Sequence, residues 1–131
     1  MGVVDCPELP VSISNHHVDA LFDTGSRTTL ISASFAKALK INNDAISPAP
    51  STKLFSANLS PMKILYKARL RISLSNTKPP VSTFFDFLVV EGLDTDVILG
   101  TDFMASLGAS INVSTKTITL DPSRVFRPSK S

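Results

Sequence analysis

The sequence predicts a single, mostly β domain with two short helices, on three observations. Apolar and polar residues alternate along most of the chain, the mark of half-buried strands. Clusters of Ser, Asn, Pro and Gly punctuate these runs as turns. At 131 residues the chain fits one domain and is too short for two independent lobes with a cleft between them. Any site that needs two lobes must therefore be built by association. A hydrophobic content of 43% against 18% charged residues is that of a globular chain and excludes a disordered or coiled-coil one.

The elements follow in order. Val11 and Ile13 alternate with Ser12 and Ser14; Asn15-His16 then turns the chain into Val18, Ala20 and Phe22, a hairpin that delivers Asp23 to its end. Thr29 to Ser32 is a short β-branched run. Ser34 ahead of Phe35, Ala38 and Leu39 reads as the cap of a helix of about two turns. Pro48 and Pro50 mark a loop. From Ile64 to Leu74 one face carries Leu70, Ile72 and Leu74 and the other Arg69, Arg71 and Ser73. Its partner is Thr83 to Val90, across a Ser75 to Pro80 turn that no central strand tolerates. The run from Phe84 to Val90 is apolar on both faces apart from Asp86, as expected of an interior strand. Asp96 to Gly100 reads as a short buried strand entering a helix from Asp102 to Leu107, with Gly108 as its stop. Ala109 to Val113 and Thr117 to Leu120 form a terminal hairpin. Residues 1–120 are thus expected to be the domain and 121–131, with two prolines and a basic, serine-rich composition, a polar tail or linker.

Composition narrows the function classes. Thirteen Lys and Arg against eleven Asp and Glu leave a net charge of only +2. Lys63, Lys67, Arg69 and Arg71 are the nearest approach to a basic stripe. The last three recur on alternate positions, as on a solvated strand face, and no interleaved aromatics offer stacking to bases, so no nucleic-acid partner is expected. A nucleic-acid-binding β domain would require that face to bind. The single cysteine, Cys6, excludes an internal disulfide framework and a thiolate zinc site and points to a reduced, intracellular setting. No run approaches the roughly 18 apolar residues of a membrane helix, so neither a membrane partner nor a secretory leader is expected. His16 and His17 sit in a turn with no third ligand at metal spacing, and an exposed loop is the expectation.

The chemistry concentrates in Ala20-Leu21-Phe22-Asp23-Thr24-Gly25-Ser26. A carboxylate directly after an apolar strand is costly unless it is used or paired, and Gly25 leaves room for a ligand or another chain to approach. An ordinary strand-ending turn would place the same residues there. Acid–base chemistry by carboxylates alone needs two of them, one as base and a protonated one as donor. The chain offers one Asp-Thr-Gly. Neither Asp96 nor Asp102 precedes a small-residue turn; a strand start suits the first and a helix N-cap the second.

The order of apolar strand, Asp-Thr-Gly-Ser, β-branched strand, short helix, long hairpin, then Asp96-Val97-Ile98-Leu99-Gly100-Thr101-Asp102-Phe103 with Gly108-Ala109-Ser110-Ile111 and Lys116-Thr117-Ile118-Thr119-Leu120 resembles the retroviral-type aspartic proteases. The resemblance runs from about Val11 to Leu120 and is closest to the protease domains of gypsy-like long-terminal-repeat retrotransposons. It implies a closed retropepsin-like β-barrel, one half of a symmetric dimer in which each subunit lends one Asp-Thr-Gly loop to a shared site. The implied activity is a homodimeric endopeptidase that cuts the element's own polyprotein, bound extended, in the cytoplasm or in virus-like particles. Water is the nucleophile, and no metal or cofactor is required.

Residue by residue, the resemblance makes Asp23 the catalytic acid and base, gives Thr24 a hydrogen bond across the dimer, and has Gly25 admit the substrate backbone. Ser26 stands where some relatives have Ala and would offer its hydroxyl to the carboxylate. Leu21 and Ile98 would line apolar side-chain pockets. Phe55 to Pro61 occupies the place of the flap, with Ala57, Asn58 and Leu59 over the substrate. Relatives usually carry glycine there and this chain has none. Arg27 replaces an acid that grips substrate backbone in many retroviral relatives; a pair with Asp102 and plain solvent exposure are its two alternatives. The alternative function is a dimerisation or peptide-binding module that kept the fold without turnover, as in a host-domesticated element.

Overall fold

In a computed structural model of the chain, residues 8–55, 59–74, 81–108, 110–112 and 117–119 are described. Strand β1 (Glu8–Ile13) and strand β2 (His16–Phe22) pair antiparallel with Val11 opposite Val18. Ser14 and Asn15 join them with φ of 49° and 69°, the left-handed pair that a two-residue hairpin needs to match strand twist. The turn thus sits one residue earlier than the sequence reading placed it. Val11, Ile13, Ala20 and Phe22 face inward. His17 Nδ1 lies 3.1 Å from Ser12 Oγ and His16 Nδ1 3.1 Å from Ser14 O, so both imidazoles serve this exposed hairpin.

After β3 (Leu30–Ser32) comes α1 (Ala33–Leu39). Its cap is Ser32 rather than Ser34: Phe35 N donates to Ser32 Oγ at 3.1 Å. The cap therefore lies two residues earlier than expected, on the last residue of the strand. A 3₁₀ turn at Asn43–Ala45 leads to β4 (Ile46–Ser47), and β5 (Leu54–Phe55) and β6 (Pro61–Met62) pair as the root of a hairpin. The long strands β7 (Ile64–Leu74) and β8 (Val81–Val90) pair antiparallel over nearly their whole length. Across them Arg69 forks onto Asp86, with Nε to Oδ1 at 3.0 Å, and Arg71 Nε donates to Ser82 Oγ at 2.7 Å, while Leu70, Ile72 and Leu74 are buried. The alternation predicted for this strand is present, and its two arginines form a solvated, cross-strand-paired face.

Closure of the sheet positions everything else. Strand β9 (Val97–Leu99) inserts between β2, to which it is parallel, and β3, to which it is antiparallel. Strand β3 runs parallel to β8, and β1 pairs with β7 as well as with β2. The ring β1-β2-β9-β3-β8-β7 returns to β1 as a closed six-stranded barrel, with β4 as a spur on β7. The barrel interior holds Ile13, Phe22, Ile31, Ile72, Phe87, Val89 and Leu99, all at most 1% exposed. Helix α2 (Thr101–Leu107) packs Phe103, Met104 and Leu107 against this core, and Phe85 meets the rings of Phe87 and Phe103 edge-on. Gly108 ends α2 at φ 62°, the left-handed cap expected of it.

A second, smaller apolar cluster explains why β8 is apolar on both faces at its C-terminal end. Leu30, Leu88 and Val90 turn outward from the barrel interior and pack with Leu54, Met62, Ile64, Leu93 and Ile98. Nearer its start β8 is wetter, with Phe84 at 60% exposure. The terminal hairpin forms from β10 (Ser110–Asn112) and β11 (Thr117–Thr119), with Ile111 opposite Ile118. The Ser75 to Pro80 turn, Cys6 and the tail 121–131 lie outside the described residues. Among the described residues no helix is long and apolar enough to cross a membrane.

Candidate active site

Asp23 follows the last residue of β2 and is half-buried. Its backbone N donates to Leu99 O at 3.0 Å, tying it to the end of β9. The next residues close a tight turn: Ser26 N donates to Asp23 O at 3.1 Å and Gly25 N to Asp23 Oδ1 at 2.8 Å. The side chain that would do the chemistry is thus oriented by its own loop. A Cβ on Gly25 would stand 3.2 Å from that carboxylate oxygen, which gives the glycine a local role beside the one implied by the resemblance. Thr24 and Gly25 are exposed at the turn's tip.

A second layer of bonds holds the loop from beneath. Thr101 N donates to Ser26 O at 2.8 Å and Asp102 N to Arg27 O at 3.3 Å. Thr29, 1% exposed, donates its hydroxyl to Asp102 Oδ1 at 2.7 Å, accepts from Gly100 N at 3.1 Å, and sends its own N–H toward Asp102 Oδ2 at 3.3 Å. Asp102 also accepts from Phe103 N. Gly100 fits where little else can: a Cβ there would lie 2.5 Å from Thr28 O and 2.7 Å from Ser26 O.

Two expectations are corrected by this network, and one open alternative is decided. Asp102 is not the N-cap of α2; that position is Gly100, which makes no side-chain cap bond, and the carboxylate instead clamps Thr29. Arg27 is the solvent-exposed alternative: among the described residues it makes no ion pair with Asp102, and the bond between the two runs from Asp102 N to Arg27 O. The Ser26 hydroxyl donates to Thr28 O at 2.7 Å rather than to the Asp23 carboxylate. A hydroxyl has one proton to give, so it serves the loop backbone.

Leu21 is in register with Ile98, and Ile98 with Leu30. Leu21 and Ile98 are half-exposed rather than sealed in the core, and Ile98 joins the outer cluster that also holds Leu54, Met62 and Ile64. The root of the β5–β6 hairpin therefore packs on the surface that adjoins Asp23. Leu59, beyond it, is 78% exposed with φ 66°, a conformation that costs a branched residue about 1–2 kcal/mol. Ala57 and Asn58 lie outside the described residues. Among the described residues no three His, Cys, Asp or Glu converge at metal-binding spacing.

Thr29 and Gly100 were missed as site-building residues. Thr29 looked like one more β-branched strand residue, and nothing local marks its bond to a carboxylate 73 positions away. Thr29→Val is expected to keep the packing but strand the Gly100 N–H and leave Asp102 Oδ1 with Phe103 N alone, a loss of about 1–3 kcal/mol. Urea denaturation measures it, and an unchanged midpoint would contradict the clamp.

The comparisons agree with this geometry. No curated protein matches the chain in sequence. Among solved structures, the retroviral protease-like domain of Ddi1 from Leishmania major superposes with a TM-score of 0.70 at 18% identity, covering 98% of both chains. The EIAV protease, solved with the inhibitor HBY-793, superposes with a TM-score of 0.64 at 19% identity, covering 86% of this chain and 97% of its own. At these identities the likeness speaks for the retropepsin-like fold. The aspartyl protease family model matches residues 9–103, from β1 through the loop of Asp23 to the first turn of α2, and the chain belongs to the aspartyl protease family.

Proposed function

We propose that the chain is an aspartic endopeptidase active as a homodimer, with Asp23 as catalytic acid and base, Thr24 bracing its loop across the two-fold axis and Gly25 admitting the substrate backbone. The observation that carries the reading is the half-buried Asp23 on a turn anchored to β9 and α2, two residues beyond the half-exposed Leu21 that is in register with Ile98. One Asp23 takes a proton from water while its protonated partner donates to the scissile carbonyl. The second acid comes from a second copy. Asp102 is committed to Thr29, and Asp96 lies before β9, at the end away from the Leu99 carbonyl that holds Asp23.

The substrate is an extended peptide with apolar side chains against Leu21 and Ile98 and with Leu59 of the hairpin above it. Its proposed natural source is the polyprotein of a gypsy-like retrotransposon, processed inside the cell. A non-catalytic peptide-binding module is the second reading, favoured by the bulky Leu59 in a left-handed conformation at a hairpin without glycine.

Incubation with a peptide library, read by mass spectrometry, separates the two. Specific activity is expected to rise with protein concentration until the dimer saturates, and excess Asp23→Asn chain should poison the wild type through mixed dimers. Concentration-independent activity in a protein that sediments as a monomer would overturn the shared site, and binding without cleavage would favour the module.

A further inference from the structure

Arg27 is an exposed cation on a fixed piece of backbone beside the candidate carboxylate. The carbonyls of Ser26, Arg27 and Thr28 accept in turn from Thr101 N, Asp102 N and Ser26 Oγ, at 2.8, 3.3 and 2.7 Å. Anchoring three consecutive residues fixes where the Arg27 side chain starts, while its guanidinium reaches into solvent. Among the described residues no carboxylate lies within ion-pair distance of it; the ion pair there is Arg69 with Asp86, on the outer face of β7 and β8. Asp102, one alternative partner for Arg27, is bonded to Thr29.

The distance from Asp23 suits a role in recognition. The turn closed by Ser26 N on Asp23 O keeps those two Cα atoms within about 7 Å, and one more residue adds at most about 4 Å. An extended peptide advances about 3.3 Å per residue. A side chain two or three residues from the bond held at Asp23 therefore comes within reach of the guanidinium.

We propose that Arg27 is a specificity-determining residue that selects peptides carrying aspartate or glutamate two or three residues from the cleaved bond. The inference rests on the endopeptidase reading above and adds a substrate class to it. Guanidinium binds carboxylate through two parallel N–H donors, a geometry that lysine or a neutral amide does not reproduce. In a symmetric dimer each subunit presents one Arg27, so the preference should appear on both sides of the bond. The pair is solvent-exposed, and its effect is a selection of about three- to five-fold that shrinks as salt is raised.

The test profiles cleavage of a randomised peptide library by the wild-type and Arg27→Glu proteins, and in parallel the capture of acidic and basic peptides by the Asp23→Asn chain with and without the same charge reversal. Acid enrichment at those positions in the wild type is expected, replaced by Lys and Arg enrichment in Arg27→Glu, with the apolar preference next to the bond unchanged. The capture arm should invert in the same sense. Cleavage with the same charge profile in both proteins overturns the role of Arg27 and leaves the endopeptidase reading standing. Absence of cleavage with charge-inverted capture does the reverse. Neither cleavage nor charge-dependent capture overturns both.

Discussion

Asp23→Asn is expected to reduce peptide hydrolysis by at least about a thousand-fold while the barrel melts within a few degrees of the wild type. Positioned proton transfer typically contributes about 10²–10⁴-fold, and here one side chain supplies both base and acid to the dyad, so its loss removes both. Asparagine keeps the shape and keeps an Oδ1 that can accept from Gly25 N, now 2.8 Å from the carboxylate. The turn should therefore survive the substitution. Initial cleavage rates on a fluorogenic peptide, beside a melting curve for each protein, measure the two effects separately. Cleavage at the wild-type rate would mean that the acid lies elsewhere.

Gly100→Ala is expected to disrupt the fold more than an added methyl group at Gly25 or Gly92. The new carbon would lie 2.5 Å from Thr28 O, 2.7 Å from Ser26 O and 2.7 Å from Thr28 C. All three are backbone atoms, so no rotamer change can relieve the contact. Separating them pulls the Asp23 loop away from α2 and breaks the bonds from Thr101 N to Ser26 O and from Gly100 N to Thr29 Oγ1. Overpacking in well-packed sites commonly costs about 1–3 kcal/mol, and the lost hydrogen bonds add to it; about 3 kcal/mol or more is the expected loss. Denaturant midpoints give the number directly. A variant as stable as the wild type would show that the loop and α2 are not locked together.

What the sequence revealed and what it hid divide along the range of the interaction. The β1–β2 and β7–β8 hairpins were legible because period-two burial and turn chemistry are local, and Leu70, Ile72 and Leu74 needed no knowledge of what they faced. The position of Asp23 after an apolar strand was legible for the same reason. The supporting layer was not. Gly100 has an ordinary φ of −93°, so nothing in its own backbone asks for glycine; only the crowding by Ser26 and Thr28, brought in from the other half of the chain, does. Asp102 carried the local signature of a helix cap, and a tertiary partner, Thr29, outbid it. The Ser32 cap was misplaced to Ser34 because the strand runs into the helix without a break, leaving the signal of two nearby serines ambiguous.

The insertion of β9 between β2 and β3 fixes the order in which this protein can be assembled. A ribosome delivers the Asp23 loop before Leu99 to Asp102, yet among the described residues it is these that grip it from outside, through contacts some 73 positions long in sequence. Such closures are entropically slow relative to hairpins. The two antiparallel hairpins can form while the chain is still being made. The turn gains this second layer of bonds only after α2 has begun to emerge, so a nascent chain passes through a stage in which most of the barrel's strands exist and its would-be acid rests on local bonds without that support.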